Sequence, residues 1–358
     1  PAFSHVDVPL ASTFILSSKA SKEAYVLPVI EGESYRFEVR TGIPPESARN
    51  GTKLSRGANF RCLMSDAPID SKYIYAEANA GRMGAKLLAI VAEGARGRVY
   101  LAPTTEDETI AQRAQPQWKP DTRMPDNPRW FSPPLYGLKT YGDLFTPRQL
   151  VALTTFSDLV PEVISKVRFD ALAGGMDDDG RGLDGGGDGA TAYAEAVGLY
   201  LGFLVDQVAN HASTICGWNH PNTQMRSVFS RQALPMTWDY AEANVFSDSS
   251  GSFNNLFERQ VKGFEALGAS VPGSASQSDA QTQTISANKV ISTDPPYYDN
   301  IGYADLSDFF YVWLRRSLRP ILPNLYATLA VPKAEELIAT PYRHGSKEKA
   351  EVFFLDGM

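Results

Sequence analysis

The chain has 358 residues, of which 43% are hydrophobic and 21% are charged, a balance typical of a globular protein with two or three domains. Its formal net charge of -7 excludes a uniformly basic nucleic-acid binder, although a local basic groove can still hold phosphates. Two cysteines, Cys62 and Cys216, exclude a disulfide scaffold and a four-cysteine zinc site. No membrane-length apolar run or signal-peptide pattern occurs, so we expect a cytoplasmic protein. From the form of its two ends, we expect the chain to be part of a longer polypeptide.

The first 110 residues predict strands and turns. Two β-rich runs, 25–30 and 35–40, flank Glu31-Gly32-Glu33-Ser34, and this arrangement predicts a hairpin. A further strand is expected at 98–101, whereas the apolar run 85–92 fits a strand or a short helix.

The next segment, 111–137, is rich in proline, which removes the N–H donors that helices and sheets require. We therefore expect a linker or an extended strap. Its prolines are Pro116, Pro120, Pro125, Pro128, Pro133 and Pro134.

Helices are expected across 146–245. Thr146-Pro147 provides an N-cap and a first helical residue, and apolar residues then recur at helical spacing. A second helix is expected from about Ala190 to Ala209. The Gly/Asp-rich segment between them, 174–189, lacks the spacing of a calcium-binding EF-hand and predicts a flexible surface loop.

The last part of the chain begins with a mostly polar stretch, 246–289, in which Ser247–Ser252 predicts a capping turn or a phosphate-contacting loop and 273–278 has low complexity. Val290-Ile291-Ser292-Thr293 predicts a short strand that ends at Asp294, and a helix is expected from about Leu306 to Leu318.

Asp294-Pro295-Pro296-Tyr297 is the motif that suggests chemistry. In a parallel α/β sheet, ligands lie beyond the carboxyl ends of strands, where this motif would stand. An amine conjugated to a base ring is a poor nucleophile, and acceptors at its N–H groups stabilise the positive charge that grows during methyl transfer. Asp294 offers a carboxylate, Pro295 offers a carbonyl, and Tyr297 can stack on an extruded base. Taken alone, a Pro-Pro turn is an equally good interpretation, and the expected strand and aromatic helix favour the functional one.

Other residues near the motif are secondary candidates. Tyr298 and Tyr303 are expected to help hold a base. Arg315, with Arg316 and Arg319, is expected either to contact phosphates near that base or to be solvated or paired with Asp305 and Asp308. The most basic stretch favours the C-terminal part as the DNA-facing side, and it comprises Lys333, Arg343, His344, Lys347 and Lys349.

The segment 293–315 resembles the catalytic segment of adenine-specific DNA methylases that carry a zinc-ribbon insert. The resemblance extends to 78–85, 142–150, 231–239 and 334–343, and so to most of the chain. It implies a Rossmann-like α/β fold and transfer of a methyl group from S-adenosylmethionine to the N6 amine of adenine in DNA. It also implies catalytic roles for Asp294, Pro295, Pro296 and Tyr297, and a contact between Asp279 and the adenine of the cofactor.

The resemblance is incomplete in two places. The glycine-rich cofactor motif is missing, since no β-branched strand precedes Gly185-Gly186-Gly187, so the methyltransferase sheet is expected to be partial. The zinc ribbon keeps only Cys62 of the pair at 62–65, and Phe3-Ser4-His5 stands near the other pair, so apolar packing is expected to replace zinc. We expect a degenerate insert over 1–110, a linker over 111–145, a helical region over 146–245 and an incomplete catalytic segment over 246–358.

Alternatives to this hypothesis remain. The same motif serves N4 methylation of cytosine, and similar motifs serve RNA or glutamine amides, because each target is a planar conjugated nitrogen. A catalytically inactive DNA-binding module is the alternative outside the enzymes, and a role in DNA modification or phage defence follows from the resemblance alone. The cluster of His211, Cys216 and His220 is more simply explained by chance than by a metal, and no metal is assigned.

Overall fold

A computed structural model describes residues 6–267, 273–276 and 278–358. The positions near the lost upstream zinc ligands, 3–5, lie outside these residues, as does Gln277 of the low-complexity stretch. No helix in the described part of the chain is both long enough and apolar enough to span a membrane.

The chain begins with a three-stranded antiparallel sheet of β1 (Ile15–Ser17), β2 (Ala24–Glu31) and β3 (Ser34–Thr41). Glu31 pairs with Ser34 at the tip of the β2–β3 hairpin, where Gly32 has a positive φ of 61° that suits glycine. This confirms the predicted hairpin, whose alternating residues bury Val26 and Phe37.

The region of the expected zinc ribbon contains α1 (Glu46–Asn50), β4 (Phe60–Arg61), β5 (Pro68–Ile69) and α2 (Ser71–Asn79). Cys62 is buried there with Phe60 and Ile69, and the Phe60 ring lies edge-on to Trp238 with 5.0 Å between centroids. Apolar and aromatic packing therefore holds this region together.

A second hairpin follows, made of β6 (Ile90–Gly94) and β7 (Gly97–Leu101), before α3 (Thr105–Ala111). The strand expected at 98–101 is confirmed. The ambiguous run 85–92 is a strand only from Ile90 onward.

The proline-rich segment is a strap that enters the main core. It contains 3-10 turns at Pro133–Tyr136 and Tyr141–Leu144. Trp130, Phe131 and Tyr141 are buried in the same core as the long helices, so proline here shapes a packed strap and not a free connection.

Three helices form the centre of the molecule: α4 (Pro147–Ala173), α5 (Ala190–Ala209) and, later in the chain, α7 (Tyr303–Leu318). Thr146 caps α4 in a capping box with Gln149, which confirms the predicted start. Gly202 allows α5 to approach α7 closely, because a Cβ built there would lie 2.7 Å from a methyl carbon of Leu318. The predicted bounds of α5 are confirmed.

The remaining elements are short. A two-stranded sheet joins β8 (Trp218–Asn219) and β9 (Gln224–Met225), and α6 (Phe253–Ala266) begins at a Ser252 cap that confirms the predicted capping turn. After α7, the chain ends with α8 (Pro341–His344) and α9 (Lys347–Gly357).

The strand predicted over 290–293 is wrong, since these residues have no strand partner among those described and lie exposed. Val290 is fully exposed and Ile291 is 61% exposed. A β-branched run becomes a strand only where a neighbouring strand takes its N–H and C=O groups. All named strand pairs in the described residues are antiparallel, so the chain is mixed α/β while a Rossmann-like sheet stays a prediction.

Candidate functional site

The Asp294–Tyr297 motif forms an exposed loop shortly before α7. Pro295 and Pro296 are both exposed, and their rings fix φ, which limits the shapes that the loop can take. The Tyr297 hydroxyl donates a hydrogen bond of 2.5 Å to Oδ1 of Asp294. This bond to the carboxylate raises the pKa of Tyr297. The loop therefore holds a carboxylate and an aromatic ring together at the surface, as the motif predicts.

Tyr298 anchors the end of the loop to the C-terminal elements. Its φ of 57° is in the left-handed region, which costs energy for a bulky residue. Its carbonyl accepts from the Ala339 N–H at 3.0 Å, and its hydroxyl donates to Glu351 at 2.8 Å. Its ring lies edge-on to Phe354, with 5.2 Å between centroids. The structure thus gives Tyr298 an anchoring position, whereas we expected it beside a bound base.

The proline-rich strap supports the other side of the loop. Arg129 forms an ion pair of 2.9 Å with Asp299. Gly302 lies against the Trp130 ring so closely that a Cβ there would be 2.6 Å from a ring carbon. The segment that follows the motif is consequently held both by the strap and by the C-terminal elements.

Tyr303 supplies a second exposed ring near the motif. It is the first residue of α7 and is 54% exposed, compared with 51% for Tyr297. Its phenol contributes to the raised pKa of Tyr297, after the hydrogen bond that Tyr297 donates to Asp294, the charge of Asp294 and burial. Tyr297 and Tyr303 are therefore both exposed enough to stack on a planar ligand.

Asp279 does not form part of a cofactor pocket in the described residues. Its Oδ1 accepts from the Gln281 N–H at 2.9 Å, and its carbonyl accepts from the Gln283 N–H at 3.0 Å, so it caps a turn. Two cavities, of about 460 and 430 Å³, are lined by residues other than Asp279. The described residues around Asp279 do not fit S-adenosylmethionine, because no glycine-rich loop follows a strand there.

Arg315 lies at the opposite end of α7 from the motif. At a rise of 1.5 Å per residue, Tyr303 and Arg315 are about 18 Å apart along the helix axis. The Arg315 Nε donates to the Thr328 carbonyl at 2.8 Å. Arg315 therefore lies far from the motif along α7, and its contact with a phosphate stays a prediction.

Two buried carboxylates on α7 use the basic residues that we expected to face DNA. Arg343 donates to Asp305 at 2.8 Å and to Glu336 at 2.6 Å, and Lys333 donates to Asp308 at 2.6 Å. Burial raises the pKa of both Asp305 and Asp308, and their cationic partners oppose that rise. Arg343 and Lys333 are therefore internal counter-ions, which corrects the expectation of a DNA-facing C-terminal stretch for these two residues.

Sequence reasoning missed these pairs, although a signal exists. Asp305 and Asp308 alternate with the apolar Leu306 and Phe309 on a predicted helix, so some carboxylates had to share its buried side. Nothing in the local sequence identifies their partners, because Lys333 and Arg343 follow more than twenty residues later.

A third buried carboxyl, Asp206 on α5, was also missed. Its Oδ1 has no hydrogen-bond partner among the described residues. Burial alone raises its pKa well above the ordinary value. Tyr326 faces it, and burial followed by the charge of Asp206 raises the pKa of Tyr326 to about 12.

The histidines and the cysteine of the 211–220 cluster bond separately. Nδ1 of His211 lies 2.9 Å from the Gln207 carbonyl, and Nδ1 of His220 lies 3.0 Å from the Ser18 hydroxyl. Cys216 is buried beside Ser213. Within the described ranges, no group of three such side chains comes together to hold a metal ion.

Comparisons of this chain with family models, with curated proteins and with solved structures find no significant match.

Proposed function

We propose that this chain contributes the amine-binding loop of a methyltransferase that modifies the N6 amine of adenine in DNA. The observation that carries the proposal is the Asp294–Tyr297 hydrogen bond on an exposed, proline-stiffened loop. Two anchors that directly follow the motif, at Tyr298 and at Asp299, support it because they hold the end of the loop in place before a substrate arrives.

The chemistry needs acceptors at the N–H groups of the amine. Oδ1 of Asp294 already accepts a hydrogen bond from the Tyr297 hydroxyl, and an amine N–H can take the place of that donor. The Pro295 carbonyl would accept from the second N–H. Two acceptors favour a pyramidal nitrogen and stabilise its developing positive charge. The proton then leaves after methylation, when the nitrogen is acidic.

The exposed rings would hold the base. An adenine turned out of a duplex loses stacking with its neighbours, and an aromatic side chain replaces part of that stacking. Tyr297 in the loop and Tyr303 at the start of α7 are both about half exposed. The methyl donor expected from the resemblance is S-adenosylmethionine. Asp279, the residue expected to contact it, caps a turn, so the proposal concerns the amine side alone.

The test is nucleoside mass spectrometry of DNA from a methylation-deficient host that expresses the full reading frame encoding this chain. We expect methyladenine with the wild type and its loss with Asp294→Ala. Losing a preorganised acceptor or donor typically lowers rates by about 100-fold to 1000-fold. Tyr297→Phe keeps the ring and frees the Asp294 carboxylate, so methylation is expected to persist, whereas Tyr297→Ala is expected to reduce it.

Tyr193→Ala is the matched control, because Tyr193 is 49% exposed on α5, close to the exposure of Tyr297. Methylcytosine in place of methyladenine would keep the role of Asp294 and change the base. No modified base in any strain would refute DNA methylation under those conditions and would favour an RNA or amide target or an inactive DNA-binding module.

A further inference from the structure

A cavity lined by arginines lies at the C-terminal end of α7. Its volume is about 460 Å³, and its lining consists of Arg315, Arg316, Arg319, Pro320 and Pro323. We call it the arginine cavity. The lining contains no carboxylate, so its surface is cationic on a chain whose net charge is -7.

The three arginines differ in how they are held. Arg316 forms a two-point ion pair with Asp158 at 3.0 and 2.9 Å, and its guanidinium lies 4.4 Å from the centre of the Trp118 ring. Arg315 lines the cavity and is fixed through Nε by the Thr328 carbonyl, which leaves its two outer nitrogens without a side-chain hydrogen bond among the described residues. Arg319 is exposed and has no side-chain hydrogen bond or ion pair among the described residues. Asp158 offsets one charge, so two positive charges remain for a ligand.

The chemistry of the lining suits phosphate. A guanidinium presents a planar set of N–H donors that matches two oxygens of a phosphate group. Two arginines four residues apart lie on the same face of a helix, so Arg315 and Arg319 can approach one anion together. Pro320 and Pro323 add apolar surface without competing donors, which suits the sugar of a nucleotide chain.

We propose that the arginine cavity binds backbone phosphates of nucleic acid. The inference rests on the proposed function, since α7 joins this cavity to the Asp294 loop. The helix rise places the cavity about 18 Å or more from Tyr303, which corresponds to roughly five base pairs of duplex at 3.4 Å each. Phosphates at this distance would fix the position of the duplex while the base itself enters the loop.

The test is fluorescence anisotropy of a labelled duplex of about 20 base pairs, measured with the full chain across a salt series. Each phosphate contact contributes about 0.9 to the slope of log Kobs against log salt concentration. Arg319→Ala and Arg315→Ala are each expected to reduce that slope by about 0.9, and Arg319→Lys is expected to restore most of it because it keeps the charge. Arg56→Ala is the control, because Arg56 is an exposed arginine in the N-terminal part of the chain.

Unchanged thermal unfolding would show that each variant folds. A wild type that does not bind the duplex, or an unchanged slope in both alanine variants, would overturn the proposal. Displacement of the duplex by millimolar inorganic phosphate at constant ionic strength would also overturn it, because the cavity would then select free phosphate. If Arg319→Ala reduces the salt slope but the wild type methylates no base, the result would support this phosphate site and refute the proposed methyl transfer.

Discussion

Replacing Arg343 by methionine is expected to destabilise the chain by about 3–5 kcal/mol, because removing one partner of a buried ion pair leaves the other charge uncompensated. The Asp305 side chain is 1% exposed and the Arg343 side chain is 10% exposed. Methionine fills similar space and removes the bonds to both Asp305 and Glu336. The Tyr342 hydroxyl still donates to Asp305, which keeps the expected loss within this range.

The loss is expected to depend on pH. Burial already raises the pKa of Asp305, and Arg343 opposes that rise. Without Arg343, the folded-state pKa moves further above the unfolded value of about 3.9. When folding raises the pKa of a carboxyl, the free energy of unfolding falls as pH rises from the unfolded-state pKa to the folded-state pKa. It falls because the unfolded state binds fewer protons than the folded state in that interval. The difference between Arg343→Met and the wild type should therefore be larger at neutral pH than near pH 5.

The assay is urea unfolding followed by tryptophan fluorescence at the two pH values, which gives the free energy of unfolding from the midpoint and slope. Arg49→Met is the matched control. Its ion pair with Glu46 spans 3.5 Å and both side chains are more than half exposed, so its loss should cost less than about 1 kcal/mol. A loss at Arg343 no larger than at Arg49, or independent of pH, would show that the buried pair does not stabilise the fold as argued.

Three other predictions follow from particular contacts. Because burial raises the folded-state pKa of Asp206, the free energy of unfolding of the wild type is expected to fall as pH rises above about 4, and Asp206→Asn is expected to remove this fall. The same dependence of the free energy of unfolding on pH in variant and wild type would contradict this. Gly302→Ala is expected to destabilise the fold by about 1–3 kcal/mol, because the added methyl would press on the Trp130 ring, whereas Gly263→Ala on the open side of α6 should stabilise it by about 0.5–1 kcal/mol. Thermal unfolding measures both, and a stabilising Gly302→Ala would be inconsistent with the close approach. Glu351→Ala removes the acceptor of the Tyr298 hydroxyl. The Ala339 N–H donates to the Tyr298 carbonyl, so its hydrogen exchange should accelerate in this variant, and unchanged exchange would show that the anchor does not depend on Glu351.

Local signals in the sequence predicted several elements of the fold, whereas the part of the expected helical region at 210–245 contains no helix and holds β8 and β9. The β2–β3 hairpin and the starts of α4 and α5 were accessible because turn residues, caps and helical spacing act within a few residues. The same reasoning missed α9 and failed at 290–293, where the outcome depends on a partner strand and not on the run itself.

The site was predictable in part for a similar reason. The motif and its exposed Tyr297 follow from adjacent residues, so the sequence places them together. The anchoring of Tyr298 and the pairing of Arg343 depend on residues tens of positions away, and no local pattern encodes such pairs. The position of Arg315 depends on the length of α7, which places it about 18 Å along the helix axis from Tyr303 and so away from the motif.

The exposed run at 290–293 has a consequence for handling this protein in solution. Val290 and Ile291 present β-branched surface whose backbone groups have no strand partner in the part of the chain that the structure describes, and such groups can act as a template for pairing with another chain. Concentrated samples should therefore associate through this run, and a lysine in place of Val290 should keep them dispersed without touching the core.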